Sequence, residues 1–322
     1  MNLTRCLLIT ILILGVSYSS FTQHSDSLSL YKKRKILTHG ALSAGYVTSS
    51  YLLYNNWYKN QDLKGFHFHN DWNNWRKMDK LGHMQATYMQ TAILHDVFKW
   101  SGTPPEYAAS KAALFALGFQ TAIEIMDGFS DGWGFSPTDM LANGLGAGAF
   151  VLQERIWSEQ KFRIKFAYHS NPIQFNADIP DKAILDVIKA REESLFGSQA
   201  HQQFFKNYNN HSVWLSSSPS AWNKESSWPE FLSLAVGYRA GNMLGAQNNS
   251  WLIDGEVFDA APYLKERYSS WILALDYNLA SINTKSKFLN TILDTLNHFK
   301  WPAPAVELRS DGSIHFHLLF LN

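Results

Sequence analysis

Six residues with acidic, imidazole or amide side chains recur at helical spacing in otherwise apolar stretches of the chain. They form the pairs Asp79 and His83, Glu124 and Asp127, and Asp139 and Asn143. Residues three or four positions apart lie on the same face of a helix, so each pair predicts a polar stripe on its helix. If the three stripes face one another, they form one pocket of carboxylates, an imidazole and an amide.

Such a pocket has three interpretations, because buried carboxylates are costly unless they are paired, hydrogen-bonded or bound to a cation. The first, which the sequence favours, is a closed structural network in which Asp79 and Asp139 cap helices. The second is a catalytic site with Glu124 or His83 as general base. The third is a divalent metal site resembling the carboxylate sites of helical bundles. The candidate metal ligands are His83, Glu124, Asp127 and Asp139, and the candidate catalytic residues are all six; whether the protein is an enzyme stays open.

Four helical blocks must position these residues. They are predicted at 36–58, 75–100, 106–128 and 136–157. The last block begins with Ser136 as N-cap and Pro137 at the first helical position, and Asp139 completes a variant of the capping box. Gly144, Gly146 and Gly148 leave part of this helix bare, which allows a neighbour to approach closely. Polar residues interrupt each block, which favours helices that do not cross a membrane.

After Trp157 the pattern changes to short alternating segments typical of strands. The clearest is "AVELRSDGSIHFHLLFL", two strands joined by a hairpin turn at Asp311-Gly312. The sequence therefore predicts an α+β protein: an N-terminal four-helix bundle, then a mixed half with antiparallel strands and a C-terminal β-hairpin. The predicted domains are the bundle at 36–158 and the α+β region at 159–322.

The N-terminus has the order of a secretory signal peptide: a basic start, an apolar run and then small residues. "MNLTRCLLITILILGVSYSS" predicts a signal peptide at 1–22, and a leader segment follows at 23–35. Cys6 precedes the apolar run, whereas an acylated cysteine would follow it. We therefore expect an exported protein, periplasmic or outer-membrane-associated, that is not a lipoprotein.

Composition narrows the class of partner. The chain has 28 basic and 27 acidic residues, so no strong positive field predicts binding to nucleic acid. The stretch "GLGAGA" lies inside a helix with no strand before it, which argues against nucleotide binding. With 15% aromatic and 17% charged residues, the surface is poor in charge, and we expect contact with a membrane or another envelope component.

The phrases "MDKLGH" and "EIMDGFSDGWGFSPTDMLANGLGA" resemble the YfiM-type family of predicted periplasmic proteins, a domain of unknown function. Their order of motifs is more distantly similar to the VanZ-like membrane proteins. The resemblance spans about 36–157 and implies that the six polar residues, with Lys80 and Gly144, are the motif positions. From the sequence as a whole we expect an envelope protein with a structural role or one that binds a lipid or wall component. The alternative is a hydrolase, with or without a catalytic metal ion, that acts on an envelope lipid or glycan.

Overall fold

The computed structural model describes residues 27–58, 62–176, 181–223 and 225–320. The described chain divides into two compact units. The first unit contains the described residues up to Asp71, with His83–Gln160 and Asn283–Thr295; the second contains Trp72–Gly82, Lys161–Ile282 and the residues from Leu296 onward. The predicted signal peptide and the first residues of the predicted leader lie outside the described residues.

The predicted α+β architecture is confirmed, because helices are followed by an antiparallel sheet and a C-terminal hairpin. Four long helices correspond to the predicted blocks: α1 (Ser27–Leu53), α2 (Met78–Trp100), α3 (Pro105–Gly128) and α4 (Pro137–Trp157). Helix α1 begins at Ser27, inside the segment predicted as a leader, so its predicted start at residue 36 was wrong. A π-helical turn, Tyr54–Tyr58, follows α1. Among the helices that the structure describes, none has the length and apolar content needed to cross a membrane.

Small residues bring the helices of the first unit together. Ala108 and Ala112 of α3 pack with Phe98 of α2 in a buried cluster. On α4, the bare surface at Gly146 lies against the backbone of Met84 so closely that a Cβ there would collide with the Met84 carbonyl oxygen. The close approach predicted from the glycines is therefore confirmed at Gly146.

Helix α2 begins later than predicted. The expected start was Trp75, but Asn74–Lys77 forms a 3-10 turn and the α-helix starts at Met78. Trp75, Arg76 and Lys77 all have positive φ angles, of 50°, 48° and 67°. Such angles are unfavourable for residues with a Cβ, so contacts in the second unit must hold them. The Trp75 N–H donates to the Ala246 carbonyl oxygen at 2.7 Å, which prevents the local helical pattern from continuing backwards.

The second unit is built on a six-stranded antiparallel sheet with strand order β1-β2-β3-β6-β7-β8. Its strands are β1 (Phe162–Tyr168), β2 (His211–Ser217), β3 (Leu232–Gly241), β6 (Tyr268–Tyr277), β7 (Ala305–Arg309) and β8 (Ile314–His317). A separate hairpin joins β4 (Ser250–Ile253) to β5 (Glu256–Asp259). The remaining helices are α5 (Lys182–Phe196), α6 (Ala200–Lys206) and α7 (Lys287–Leu296). Strands β7 and β8 are the predicted C-terminal hairpin.

One face of this sheet is buried. Trp214 of β2 is fully buried there, in a cluster with Ile272 of β6 and Phe320. The pairing register places Lys165 beside Trp214 and Glu307 beside Ile272, so charged residues share this buried face. The opposite face carries the exposed side chains of the sheet.

Candidate functional site

Glu124 of α3 is the most deeply buried acid of the predicted pocket, with 1% of its surface exposed. Its Oε2 accepts the backbone N–H of Ser136 at 3.1 Å. Within the described part of the chain, its Oε1 has no hydrogen-bond partner. The pKa of Glu124 is raised to about 8, mainly by burial; the nearby Asp139 also raises it, whereas His83 and the Ser136 N–H lower it. The structure thus holds a carboxyl group that changes charge near neutral pH.

His83 of α2 lies beside this carboxyl group and reaches the surface, with 20% of its side chain exposed. Its Nε2 is 3.8 Å from Oε1 of Glu124 and 3.8 Å from Oδ1 of Asp139. Both distances exceed a direct hydrogen bond. The imidazole nitrogen therefore faces two carboxyl oxygens at equal distances.

Asn143 of α4 orients the other side of the imidazole. Its Oδ1 lies 3.3 Å from Nδ1 of His83 and 2.7 Å from the Thr87 hydroxyl, one turn along α2. Its side chain is fully buried, and Nδ2 has no partner among the residues that the structure describes. Asn143 therefore contacts the histidine through Oδ1, while its buried Nδ2 amino group has no partner among the described residues.

The start of α4 holds Asp139 in place. The Ser136 hydroxyl accepts the Asp139 N–H at 3.0 Å, as an N-cap does. In the predicted capping box, Asp139 would bind the Ser136 N–H, but that N–H donates to Glu124. The Ser136 hydroxyl in turn donates to Asp71 at 2.7 Å. The cap thus connects three acidic residues of the first unit.

Two of the predicted residues have other partners. Asp127 of α3 accepts the Tyr58 hydroxyl at 2.6 Å, and Tyr58 is buried. Asp79 lies one turn before His83 in α2 and belongs to the second unit. There it accepts the Tyr208 hydroxyl at 2.6 Å and the Lys80 ammonium at 2.9 Å. Within the first unit, the structure therefore brings together His83, Glu124, Asp139 and Asn143.

The arrangement can do two kinds of chemistry. An imidazole and a carboxyl group that titrates near neutral pH can transfer protons to and from a bound molecule. Alternatively, the nitrogen of His83 and the oxygens of Glu124 and Asp139 can act as ligands of one cation, since carboxylates and imidazole are common ligands of divalent metals.

Three further residues support this site and were not predicted from the sequence, namely Asp71, Thr87 and Tyr58. Thr87 lies one turn after His83 on α2, so helical spacing was a signal for it. Asp71 and Tyr58 lie 65 and 69 positions from their partners Ser136 and Asp127, and local spacing contains no signal for such contacts.

The second unit has a concave feature of its own, a cavity of about 320 Å³ with a mostly aromatic lining. His169 and Lys300 are its polar lining residues. Burial lowers the pKa of His169 to about 3 and that of Lys300 to about 8. His169 lies at the end of a strand and Lys300 lies in a loop, and because neither belongs to a local motif, neither was predicted.

Residues 65–155 match the model of a family described as predicted periplasmic lipoprotein (DUF2279). The matched region contains all six predicted site residues. Comparison with curated proteins and with solved structures found no match.

The family description contradicts the prediction that the protein is not a lipoprotein. That prediction rested on the position of Cys6 before an apolar run. Both lie outside the described residues, and the inference from one cysteine is overturned by the description of the matched family.

Proposed function

We propose that this protein works at a membrane of the cell envelope, where the exposed face of its six-stranded sheet lies against lipid. The observation that carries the proposal is the polarity of the sheet. Its exposed face is apolar and its charged residues are buried, which is the reverse of a sheet with one face in water.

A row of apolar side chains crosses the exposed face in register. It consists of Leu215, Val236, Leu273, Val306 and Phe316, one from each of five neighbouring strands. Each of the five is between 40% and 80% exposed. Soluble proteins seldom expose a continuous apolar patch of this kind unless it binds something.

The next row continues the pattern. Tyr238, Trp271, Leu308 and Ile314 are cross-strand neighbours on the same face. In the described strands, the positions that share this face carry no Asp, Glu, Lys or Arg. An uncharged face fits a hydrocarbon phase better than a protein partner, whose binding surfaces usually include polar contacts.

The buried face has the complementary character. Lys165 and Asp276 form an ion pair at 2.8 Å, and both side chains are almost completely buried. Arg239 and Glu307 form a two-pronged pair with both N–O distances at 2.9 Å. These charged residues therefore pair with one another inside the unit, away from the exposed face.

Aromatic residues lie toward both ends of the exposed face. Trp271 packs edge-on against Tyr238 at one end, with ring centres 5.1 Å apart. At the other end, Trp222 packs against Phe162, and the Lys161 ammonium lies 4.9 Å from the Trp222 ring centre. Trp and Tyr are enriched where a membrane meets water, so their placement supports a lipid-facing sheet.

Flotation with liposomes tests this proposal. We expect the wild-type protein to float with phospholipid vesicles, and the double variant Val236→Lys, Leu273→Lys to remain in the aqueous fraction. The matched control is Leu252→Lys, since Leu252 is 68% exposed but lies in the separate β4–β5 hairpin. Equal flotation of the wild type and the double variant, with circular dichroism showing both folded, would contradict lipid contact through this face.

The same proposal includes the finer family assignment. The phrases "MDKLGH" and "DMLANGLGA" support a YfiM-type protein, and the family match covers both. The order of these motifs also supports a more distant relation to the VanZ-like proteins.

A hydrolase acting on an envelope lipid or glycan is the second candidate function. The observation that favours it is Glu124, whose pKa of about 8 suits proton transfer at neutral pH, beside the partly exposed His83. Incubation with envelope lipids and glycans, followed by mass spectrometry, would detect products. This candidate requires that Glu124→Gln abolishes them while the variant still floats with liposomes.

A further inference from the structure

We infer that His83, Glu124 and Asp139 bind one divalent transition-metal ion in the helical unit. This goes beyond the proposed contact with lipid and rests on different residues. The ligand atoms are Nε2 of His83, Oε1 of Glu124 and Oδ1 of Asp139.

The distances place Nε2 of His83 close to both carboxyl oxygens. Nε2 of His83 lies 3.8 Å from each of the two carboxyl oxygens. Metal–ligand bonds to nitrogen and oxygen are about 2.0–2.2 Å long, so two atoms at this separation can contact the same ion at a wide angle. Small shifts of the partly exposed imidazole are sufficient to adjust that angle.

Glu124 supplies the independent observation. Only 1% of the surface of Glu124 is exposed, yet Oε1 has no hydrogen-bond partner among the described residues. An unpartnered buried carboxyl oxygen costs free energy that a bound cation would recover. A closed hydrogen-bonded network would have provided Oε1 with a donor from the protein itself.

The donor set indicates the class of metal. One imidazole nitrogen and two carboxylate oxygens suit Zn²⁺, Mn²⁺ or Fe²⁺ better than Ca²⁺ or Mg²⁺, which prefer oxygen ligands throughout. Three protein ligands leave at least one position for water or a bound molecule, which is the arrangement of metal sites that act on a ligand.

Asn143 orients the histidine for this role. When the Nδ1–H of His83 donates to Oδ1 of Asn143, 3.3 Å away, the lone pair of Nε2 faces the two carboxylates. Metal-binding histidines commonly donate their other N–H to an oxygen in this way. The Thr87 hydroxyl contacts the same oxygen at 2.7 Å and steadies it. Asn143 is therefore a positioning residue for the site.

Asp127 was also predicted as a metal ligand, and the structure gives a reason to leave it out. Its Oδ1 accepts the buried Tyr58 hydroxyl at 2.6 Å. Because Asp127 lies on the same helix as Glu124, the variant Asp127→Asn provides a matched control for a charge change near the site.

Titration with Co²⁺ and Mn²⁺ tests the inference on the whole mature protein. We expect one Co²⁺ to bind with visible absorption bands, and Mn²⁺ to raise the melting temperature of the chelator-treated protein. His83→Gln and Glu124→Gln should weaken binding by about tenfold or more. Asp127→Asn should bind like the wild type.

A second measurement needs no variant. Mn²⁺ should broaden the NMR signals of the His83 imidazole at lower concentrations than those of His95. His95 is a suitable control because its Nε2 also lies 3.8 Å from a carboxylate oxygen, Oε2 of Glu154. Absence of Co²⁺ binding by the wild type would overturn the inference, as would equal losses in Asp127→Asn and His83→Gln, or broadening of His95 before His83.

Discussion

The backbone N–H of Ser136 donates to Oε2 of Glu124 at 3.1 Å, so the residue that caps α4 also holds the key carboxyl group of α3. The same residue uses its hydroxyl to accept the Asp139 N–H and to donate to Asp71. Ser136 therefore connects the stability of the helical unit with the geometry of its polar site.

Replacing Ser136 by Ala should destabilise the protein. The change removes the N-cap hydrogen bond and the hydroxyl donor to the buried Asp71, for a loss of about 1–2 kcal/mol in the free energy of unfolding. The control is Asp181→Ala, which removes the exposed N-cap of α5 and should cost less. Urea denaturation of both variants measures the difference, and equal losses would show that the bond to Asp71 contributes nothing.

Glu124 should make stability fall as the pH rises. Its pKa is raised from 4.5 to about 8 in the folded protein, so the unfolded chain releases this proton first. The resulting loss of stability begins above about pH 4.5 and is complete above about pH 8, with a magnitude on the order of 4 kcal/mol. Urea denaturation across this range, with chelator present, should show the decline in wild type.

The variant Glu124→Gln is the corresponding control, since it cannot lose the proton. Its stability should change less between about pH 5 and 8 than that of the wild type. Parallel pH profiles for the two proteins would rule out Glu124 as the titrating group.

Glu307 should have the opposite effect at low pH. Burial alone would raise its pKa, but Arg239, the Ser270 hydroxyl and Arg309 hold it at about 2. Stability from this group is fully present above about pH 4.5 and is lost as the pH falls toward 2.

Glu307→Gln should cost about 3–5 kcal/mol at neutral pH, because the 1%-exposed Arg239 would lose its charged partner. Thermal and urea denaturation would detect this loss. The exposed Glu256→Gln in β5 is the control and should be neutral. A fully stable Glu307→Gln would show that the buried pair contributes little.

The three glycines of α4 should respond differently to alanine. A Cβ at Gly146 would collide with the carbonyl oxygen of Met84, whereas nothing lies within 4 Å of a Cβ at Gly144 or Gly148. We expect Gly146→Ala to lose about 1–3 kcal/mol through overpacking. Gly144→Ala and Gly148→Ala should each gain about 0.5–1 kcal/mol, because alanine favours the helix. Melting temperatures of the three variants would separate these outcomes.

The sequence predicted the elements of this fold well where a local pattern determines them. The helices α2, α3 and α4 end at the predicted residues, and the Ser136-Pro137 start is confirmed. The predicted start of α2 was wrong, because the Trp75 N–H donates to the carbonyl oxygen of Ala246, which lies 171 positions later in the chain. Contacts at such separations leave no trace in local spacing.

One missed element did carry a local signal. The β4–β5 hairpin turns at Asp254-Gly255, both with positive φ angles, which is the same dipeptide that predicted the C-terminal hairpin. Its strands have only four residues each, so alternation along them is too short to be noticed. The hairpin was missed because its strands are short, although its Asp-Gly turn is typical of a hairpin.

For the candidate site, helical spacing identified the right residue types but not their partners. Asp79 and His83 share a face of α2, yet Asp79 pairs with Tyr208, 129 positions away. The unpartnered oxygen of Glu124 depends on how three helices meet, and no sequence pattern describes that. Helical spacing could predict that several of these residues lie close together, whereas their roles could not be predicted from it.

The division of the chain into units has a consequence for the order of folding. Trp75 and Met78 belong to the second unit, and Met78 packs there with Ala240 and Met243. A growing chain must therefore keep Met78 without Ala240 and Met243 until about 165 more residues have been made, and Trp75 without Phe196 and Tyr208 until more than 100 have been made. A fragment cut at the predicted boundary near residue 158 would leave them exposed permanently. We expect such a fragment to aggregate, although it contains the whole family-matched region.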